Sequence, residues 1–61
     1  MTLREYMFLN RITCETMARQ LGIHSMYLSA IKNNKRKPSL DLAIKIEMIT
    51  GGEVTPNELR G

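Results

Sequence analysis

Apolar residues recur three and four apart along most of this chain. Each such run is preceded by a side chain suited to capping a helix. Thr2-Leu3-Arg4-Glu5 opens the first run as a capping box, in which the Thr hydroxyl takes a first-turn N–H and the Glu reaches back. Leu3, Tyr6, Met7 and Asn10 then share a face, with Leu9 beside them; Phe8 falls off the stripe, for packing from the side or for contact with a partner. Thr13 is the next cap, with Ile12 before it and Met17 after it at the two positions of a hydrophobic staple. Cys14, Met17, Ala18 and Leu21 form one narrow face, Glu15 and Arg19 are a favourable pair four apart, and Gly22 ends the helix. About two turns cannot stand alone in water, so this helix must pack against others.

A third helix is predicted from Ser25 to Asn33. Leu28 and Ile31 point one way with Tyr27 at their edge. Ser25, Met26, Ser29, Ala30 and Asn33 point the other way, flanked by Lys32. Asn34 suits a left-handed stop, and Lys35-Arg36-Lys37-Pro38 disfavours continuation because a residue before proline avoids the helical region. Ser39 caps a fourth helix, roughly 40–50, with Leu40, Ala43, Ile44 and Met48 on one side and Leu42, Ile46 and Ile49 on another. Such an apolar circumference predicts a place in the middle of a bundle. Asp41 and Lys45 make an i,i+4 pair, and Thr50-Gly51-Gly52 ends the helix. Thr55-Pro56-Asn57-Glu58 combines a cap, proline at the first helical position and a capping-box Glu, with Leu59 as anchor. Glu53-Val54-Thr55 is extended at most. The fold class predicted is all-α, a compact five-helix bundle.

Within it, segment 13–34 has a distinctive layout. Two short helices that cross steeply through a tight turn need a small residue at their contact, a glycine in the turn and apolar residues inside the second helix. Ala18, Gly22, Leu28 and Ile31 meet those needs, which is the layout of a helix-turn-helix unit at about 14–33. Thr13-Cys14-Glu15-Thr16-Met17-Ala18-Arg19-Gln20-Leu21-Gly22-Ile23-His24-Ser25-Met26-Tyr27-Leu28-Ser29-Ala30-Ile31 resembles the helix-turn-helix of the phage Cro and repressor family, T-Q-x-x-L-A-x-x-L-G-I-S-x-x-x-I-S-x-I. Lys32-Asn33-Asn34-Lys35 is similar to that family's E-N-G-K. Pro38-Ser39-Leu40 matches its usual opening of helix four, and the tail from Ile46 to Thr55 with Leu59-Arg60 resembles the ending of small Cro-like and YdaS-like phage regulators. The resemblance spans nearly the whole chain and implies one helix-turn-helix DNA-binding domain over 1–61.

The chain departs from the family pattern at four positions. Cys14 replaces a Gln that helps anchor the helix to a phosphate, although the helix-start N–H groups can still hold one. His24 replaces the usual Ser or Thr cap, so either it caps poorly or Ser25 takes the role. Lys32 replaces a Glu commonly paired with an Arg on helix one, where the corresponding position is apolar Met7, and Asn34 replaces Gly. In the family the second helix of the motif lies in the major groove. The resemblance therefore assigns base edges to Ser25, Met26, Ser29 and Ala30, which helical geometry also places outward; Ser suits several bases, and Met or Ala suits a thymine methyl. The bland alternative for Met26 is side packing in the core. Phosphate candidates are Lys32, Lys35, Arg36 and Lys37, with Asn33 and Tyr27 as uncharged helpers, His24 as a turn residue near phosphate, Cys14 at the helix start unless it is simply a small inner-face residue, and Arg11 as a weaker candidate. Their bland alternative is a solvated loop.

Charge agrees with a polyanion. Residues 1–38 carry seven Lys or Arg against Glu5 and Glu15, a balance of +5; residues 39–61 carry two against four acids, a balance of −2. At 61 residues the chain affords one modest core and no deep substrate cavity, so no enzyme is expected. Cys14 and His24 are too few for a structural zinc site, and no third group completes a nucleophile, so no metal, cofactor or small-molecule ligand is expected. No apolar run approaches the roughly 18 residues of a membrane span and no signal segment opens the chain, which predicts a cytoplasmic protein and no membrane partner. The partner expected is double-stranded DNA with a pseudo-palindromic operator, bound by a homodimer with Val54 and Leu59 at its interface, unless those two close the monomer core instead. The reading from a different class is an antitoxin or adaptor on the same fold, with Phe8 and the Leu59 region as contacts.

Overall fold

The computed structural model describes residues 1–60. They form five helices, α1 (Leu3–Leu9), α2 (Cys14–Leu21), α3 (Ser25–Lys32), α4 (Leu40–Ile49) and α5 (Pro56–Arg60), with no strand among the described residues. The principal extents are 23 × 21 × 18 Å. That is about two helix diameters each way, so a single central layer of side chains is sealed from water.

The caps are those the side chains dictate. Around Thr2 the box is complete: Glu5 N–H donates to the Thr2 hydroxyl at 3.1 Å and Thr2 N–H donates to the Glu5 carboxylate at 3.0 Å. Thr13, Ser39 and Thr55 accept from Thr16, Leu42 and Glu58 N–H at 3.2, 3.3 and 3.4 Å. At α3 the alternative that Ser25 takes the cap is overturned. His24 is the cap, its Nδ1 accepting from Met26 N–H at 3.1 Å, and Ser25 is already helical. The four longer helices end alike. A left-handed residue is followed by an N–H that donates back across the last turn: Ile12 to Met7, Ile23 to Ala18, Lys35 to Ala30 and Gly52 to Glu47, at 2.8–3.0 Å. The left-handed residues are Arg11, Gly22, Asn34 and Gly51. Gly22 and Asn34 were legible as stops; Arg11, at φ 54°, was not.

The core joins Leu3 and Met7 of α1, Met17, Ala18 and Leu21 of α2, Leu28 and Ile31 of α3, and Leu42, Ala43 and Ile46 of α4 to Val54 and Leu59. The most extensive helix pairs are α2 with α3 and α4 with α5. Leu9, expected beside the buried stripe of α1, is exposed, because the helix ends there and the chain turns outward at Asn10-Arg11. The central place expected for α4 holds on one side only. Leu42, Ala43 and Ile46 are buried, while Leu40, Ile44, Met48 and Ile49 face solvent. Neither the Glu15–Arg19 nor the Asp41–Lys45 pair closes; among the described residues the ion pair present joins the N-terminal ammonium to Glu58 at 2.8 Å.

Val54 and Leu59 are corrected as dimer-interface candidates. Val54 is fully buried and Leu59 nearly so, both inside the monomer core. The reason is Thr50. Its buried hydroxyl donates to Ile46 O at 2.9 Å and accepts from Val54 N–H at 3.2 Å, which folds the 50–54 turn back over α4 and tucks Val54 inward.

Candidate nucleic-acid interface

The geometry of α2 and α3 follows from three residues. Ala18, almost fully buried, lets the helices approach, and Gly22, at φ 73°, turns the chain without a Cβ penalty. Ile23 N–H then donates to Ala18 O at 3.0 Å and fixes the turn. Leu28, fully buried, and Ile31 lock the inner face of α3 into the core. Its rotation is thereby set, and the opposite face looks outward. Met26 stands out at 75% exposed, which disposes of side packing in the core. Ser25, Ser29 and Ala30 are half-buried on the same side. This outer face is short-chained apart from Met26, so another surface can approach its backbone closely.

Segment 33–38 is held against the end of α3. Ala30 O accepts from both Lys35 N–H and Arg36 N–H, at 2.8 and 3.3 Å. Pro38 is buried, and the Arg36 guanidinium lies 5.1 Å from the centroid of the Tyr27 ring, a cation–π stack. Lys35, Arg36 and Lys37 are exposed on a segment with a defined course, and Asn33, the cap of α3, is exposed beside them. No sequence signal flagged the Tyr27–Arg36 stack, since residues nine apart that straddle a helix end have no fixed relation.

Lys32 is half-buried. The position expected to oppose it, Met7, lies in the core, and the α1 cation beside it is Arg4. Arg4 and Lys32 line one groove together with Thr13 and Cys14 at the start of α2. Arg4 was missed because its place beside Lys32 comes from how α1 packs, which periodicity within α1 does not specify. Half-buried Cys14 sits in that groove and packs against the core. The groove thus combines two cations with a helix start whose first N–H groups lack intrahelical partners. A second groove joins Arg4 and Lys32 to Asn33 and Asn34, and a third joins Asn34 to Arg36 and Lys37; Glu58, paired with the N-terminal ammonium, lines both. Exposed His24 spends its Nδ1 on the cap. Arg11, on the α1–α2 turn, is exposed. None of these cations has an ion-pair partner among the described residues.

Among the described residues no group of His, Cys, Asp or Glu is placed to hold a metal ion, and no helix is long and apolar enough to cross a membrane. The surface around the outer face of α3 carries cations that make no ion pair among the described residues.

A protein-family model described as Helix-turn-helix matches residues 3–59, and the chain belongs to that family, of Cro and repressor type. Its place is thus among DNA-binding regulators of that type. No curated protein matches the chain. No solved structure matches it.

Proposed function

We propose that this protein is a sequence-specific transcriptional regulator of phage or prophage Cro-like type. In this reading the whole chain, 1–61, is one DNA-binding domain that represses by occupying an operator. The observation that carries the reading is the outer face of α3, flanked on both sides by cations that have no acidic partner. Ser25, Met26, Ser29 and Ala30 enter the major groove, where the short side chains of Ser25, Ser29 and Ala30 let the helix lie close. Arg4 and Lys32, with the start of α2 at Cys14, hold a phosphate on one flank. Lys35, Arg36 and Lys37, with Asn33 and Tyr27, hold phosphates on the other. His24 contributes by fixing the first turn of α3. One such helix reads only a few base pairs, too few for useful discrimination among genomic sites, so the protein acts as a homodimer on a two-fold operator.

An antitoxin or adaptor role has one supporting observation, the exposure of Phe8 and Leu9 at 81% and 65% on the end of α1. Its other expected contact, Leu59, is in the core. The experiment that separates the readings is selection from random-sequence duplexes. A regulator returns a pseudo-palindromic consensus. The consensus changes when Ser25, Met26, Ser29 and Ala30 are exchanged together for another set. Recovery of no consensus from the folded wild-type protein, or an unchanged consensus after the exchange, overturns the assignment.

A further inference from the structure

The proposed homodimer requires a surface, and Val54 and Leu59 do not supply it. The candidate surface is the outer side of α4. Leu40, Ile44 and Met48 are 52%, 41% and 75% exposed. Spaced four apart, they form one apolar stripe along the helix, on the side away from Leu42, Ala43 and Ile46. Exposed Asp41 and Lys45 border the stripe on one flank, and neither pairs with the other or with any described residue. Leu42, Ala43 and Ile46 are the α4 residues that serve the core, and Leu40, Ile44 and Met48 pack against none of it.

We propose that α4 is the homodimer interface, with two copies packed antiparallel about a two-fold axis near Ile44. This rests on the reading above that the protein works as a dimer on a two-fold operator. The geometry selects a second copy as the occupant. An isologous contact pairs position 44 with itself and sets Leu40 of one copy against Met48 of the other, so apolar meets apolar along the whole stripe. A two-fold normal to the plane of two antiparallel helices brings the same flank of each together in reverse order. Asp41 of each copy then lies within one residue of register with Lys45 of the other, close enough for the lysine stem to reach, twice. The stripe is thus complementary to itself in both hydropathy and charge.

Its size sets the strength. A standard stable interface takes about 800 Å² from each partner, close to a fifth of the 4249 Å² that this molecule exposes. Three side chains and a charged flank fall well short of that. The dimer is therefore weak in free solution and is completed when two copies occupy one duplex.

The test is a concentration series of amide chemical shifts, from micromolar to millimolar, on the protein alone. It is joined by the protein-to-duplex stoichiometry on a selected site. Expected are shifts that move with concentration along α4 and a stoichiometry of two. Ile44→Glu, which sets like charges against each other at the axis, lowers the association constant at least about tenfold. Asp41→Lys and Lys45→Asp each weaken association, and the double exchange restores it while either single does not. Melting curves verify that each variant is folded, as expected for exposed positions. Shifts along α4 that ignore concentration overturn the proposal. So does a dimer unaffected by both Ile44→Glu and the charge exchanges, or a surface that binds only a heterologous protein. Because self-association is read without DNA, failure of the DNA-binding reading shows up separately, as a protein that dimerises through α4 but selects no duplex.

Discussion

Thr50→Val tests how the C-terminal third of the core is built. Valine matches threonine in shape, so the substitution exchanges one hydroxyl for one methyl and disturbs little else. Three hydrogen bonds disappear, of unequal weight. Ile46 O keeps its backbone partner, Thr50 N–H at 3.0 Å, and Glu47 O keeps Gly52 N–H at 2.9 Å, so neither carbonyl is stranded. Val54 N–H is different. Its partner is the Thr50 hydroxyl at 3.2 Å, and Val54 is fully buried, so water does not replace the lost acceptor. Leaving such a donor unsatisfied costs about 1–3 kcal/mol, against which the added methyl returns about 0.8 kcal/mol. At the middle of that cost the net expectation is a loss of about 1.2 kcal/mol, or about 5–10 °C in melting temperature for a domain this small. Thr50→Ser is the control. It keeps the acceptor and gives up one methyl, about 0.8 kcal/mol. Urea denaturation of both variants, with hydrogen exchange at the Val54 amide, measures the difference. Burial of apolar area alone ranks Val above Ser; the account here ranks Ser above Val. A Thr50→Val protein as stable as wild type, or an unchanged exchange rate at Val54, refutes the reasoning.

Three further outcomes are expected. Tyr27→Leu keeps the apolar bulk at the edge of α3 but removes both the ring beneath Arg36 and the hydroxyl offered to phosphate, so affinity for all duplexes falls by about two- to fivefold, up to the value of an exposed cation–π contact; Tyr27→Phe, which loses the hydroxyl alone, falls by less, and fluorescence anisotropy distinguishes the two. Arg11→Gly relieves a left-handed backbone at a residue with a Cβ, raising stability by roughly 1 kcal/mol; if Arg11 meets a phosphate, DNA affinity falls in the same variant, whereas equal or better binding removes Arg11 from the interface. Glu58 is held below the usual carboxylate range, first by its hydrogen bond from the N-terminal ammonium, and Glu5 by its bonds from Thr2. With folded values below unfolded ones, their contribution is complete above the usual carboxylate range and is lost as pH falls through the folded values. The melting temperature therefore declines in acid, and less steeply for Glu58→Gln; an identical acid limb for the variant contradicts this.

The parts of the fold that were legible in the sequence are those set by local rules. Thr2, Thr13, Ser39 and Thr55 announced helix starts because a capping hydroxyl acts within three residues, and Gly22 announced a stop because a left-handed turn favours glycine. Leu28 and Ile31 were readable as the inside of α3, and this placed Met26 outside. What escaped depended on contacts between distant elements or on chemistry that several residue types share. His24 caps α3 through an imidazole nitrogen, an acceptor that lists of capping residues pass over. Arg4 reaches Lys32 only through the way α1 packs. Periodicity showed α4 to be apolar on two sides without showing which side the core takes. The core takes the side of Leu42, Ala43 and Ile46, joined by Val54, which moves the candidate self-association surface from the C-terminal segment to the stripe of Leu40, Ile44 and Met48.

The central claim is that the cations around α3 face phosphates while α3 reads bases. Its most direct test is the salt dependence of binding to a selected duplex and to a scrambled one, for wild type and for the protein with Lys32, Lys35, Arg36 and Lys37 all changed to Ala. Each lost phosphate contact lowers the slope of log K against log salt by about 0.9. The account predicts a slope shallower by about three to four for the variant, affinity lowered in parallel on both duplexes, and the preference between them retained. An unchanged slope, or a loss confined to the selected sequence, contradicts it.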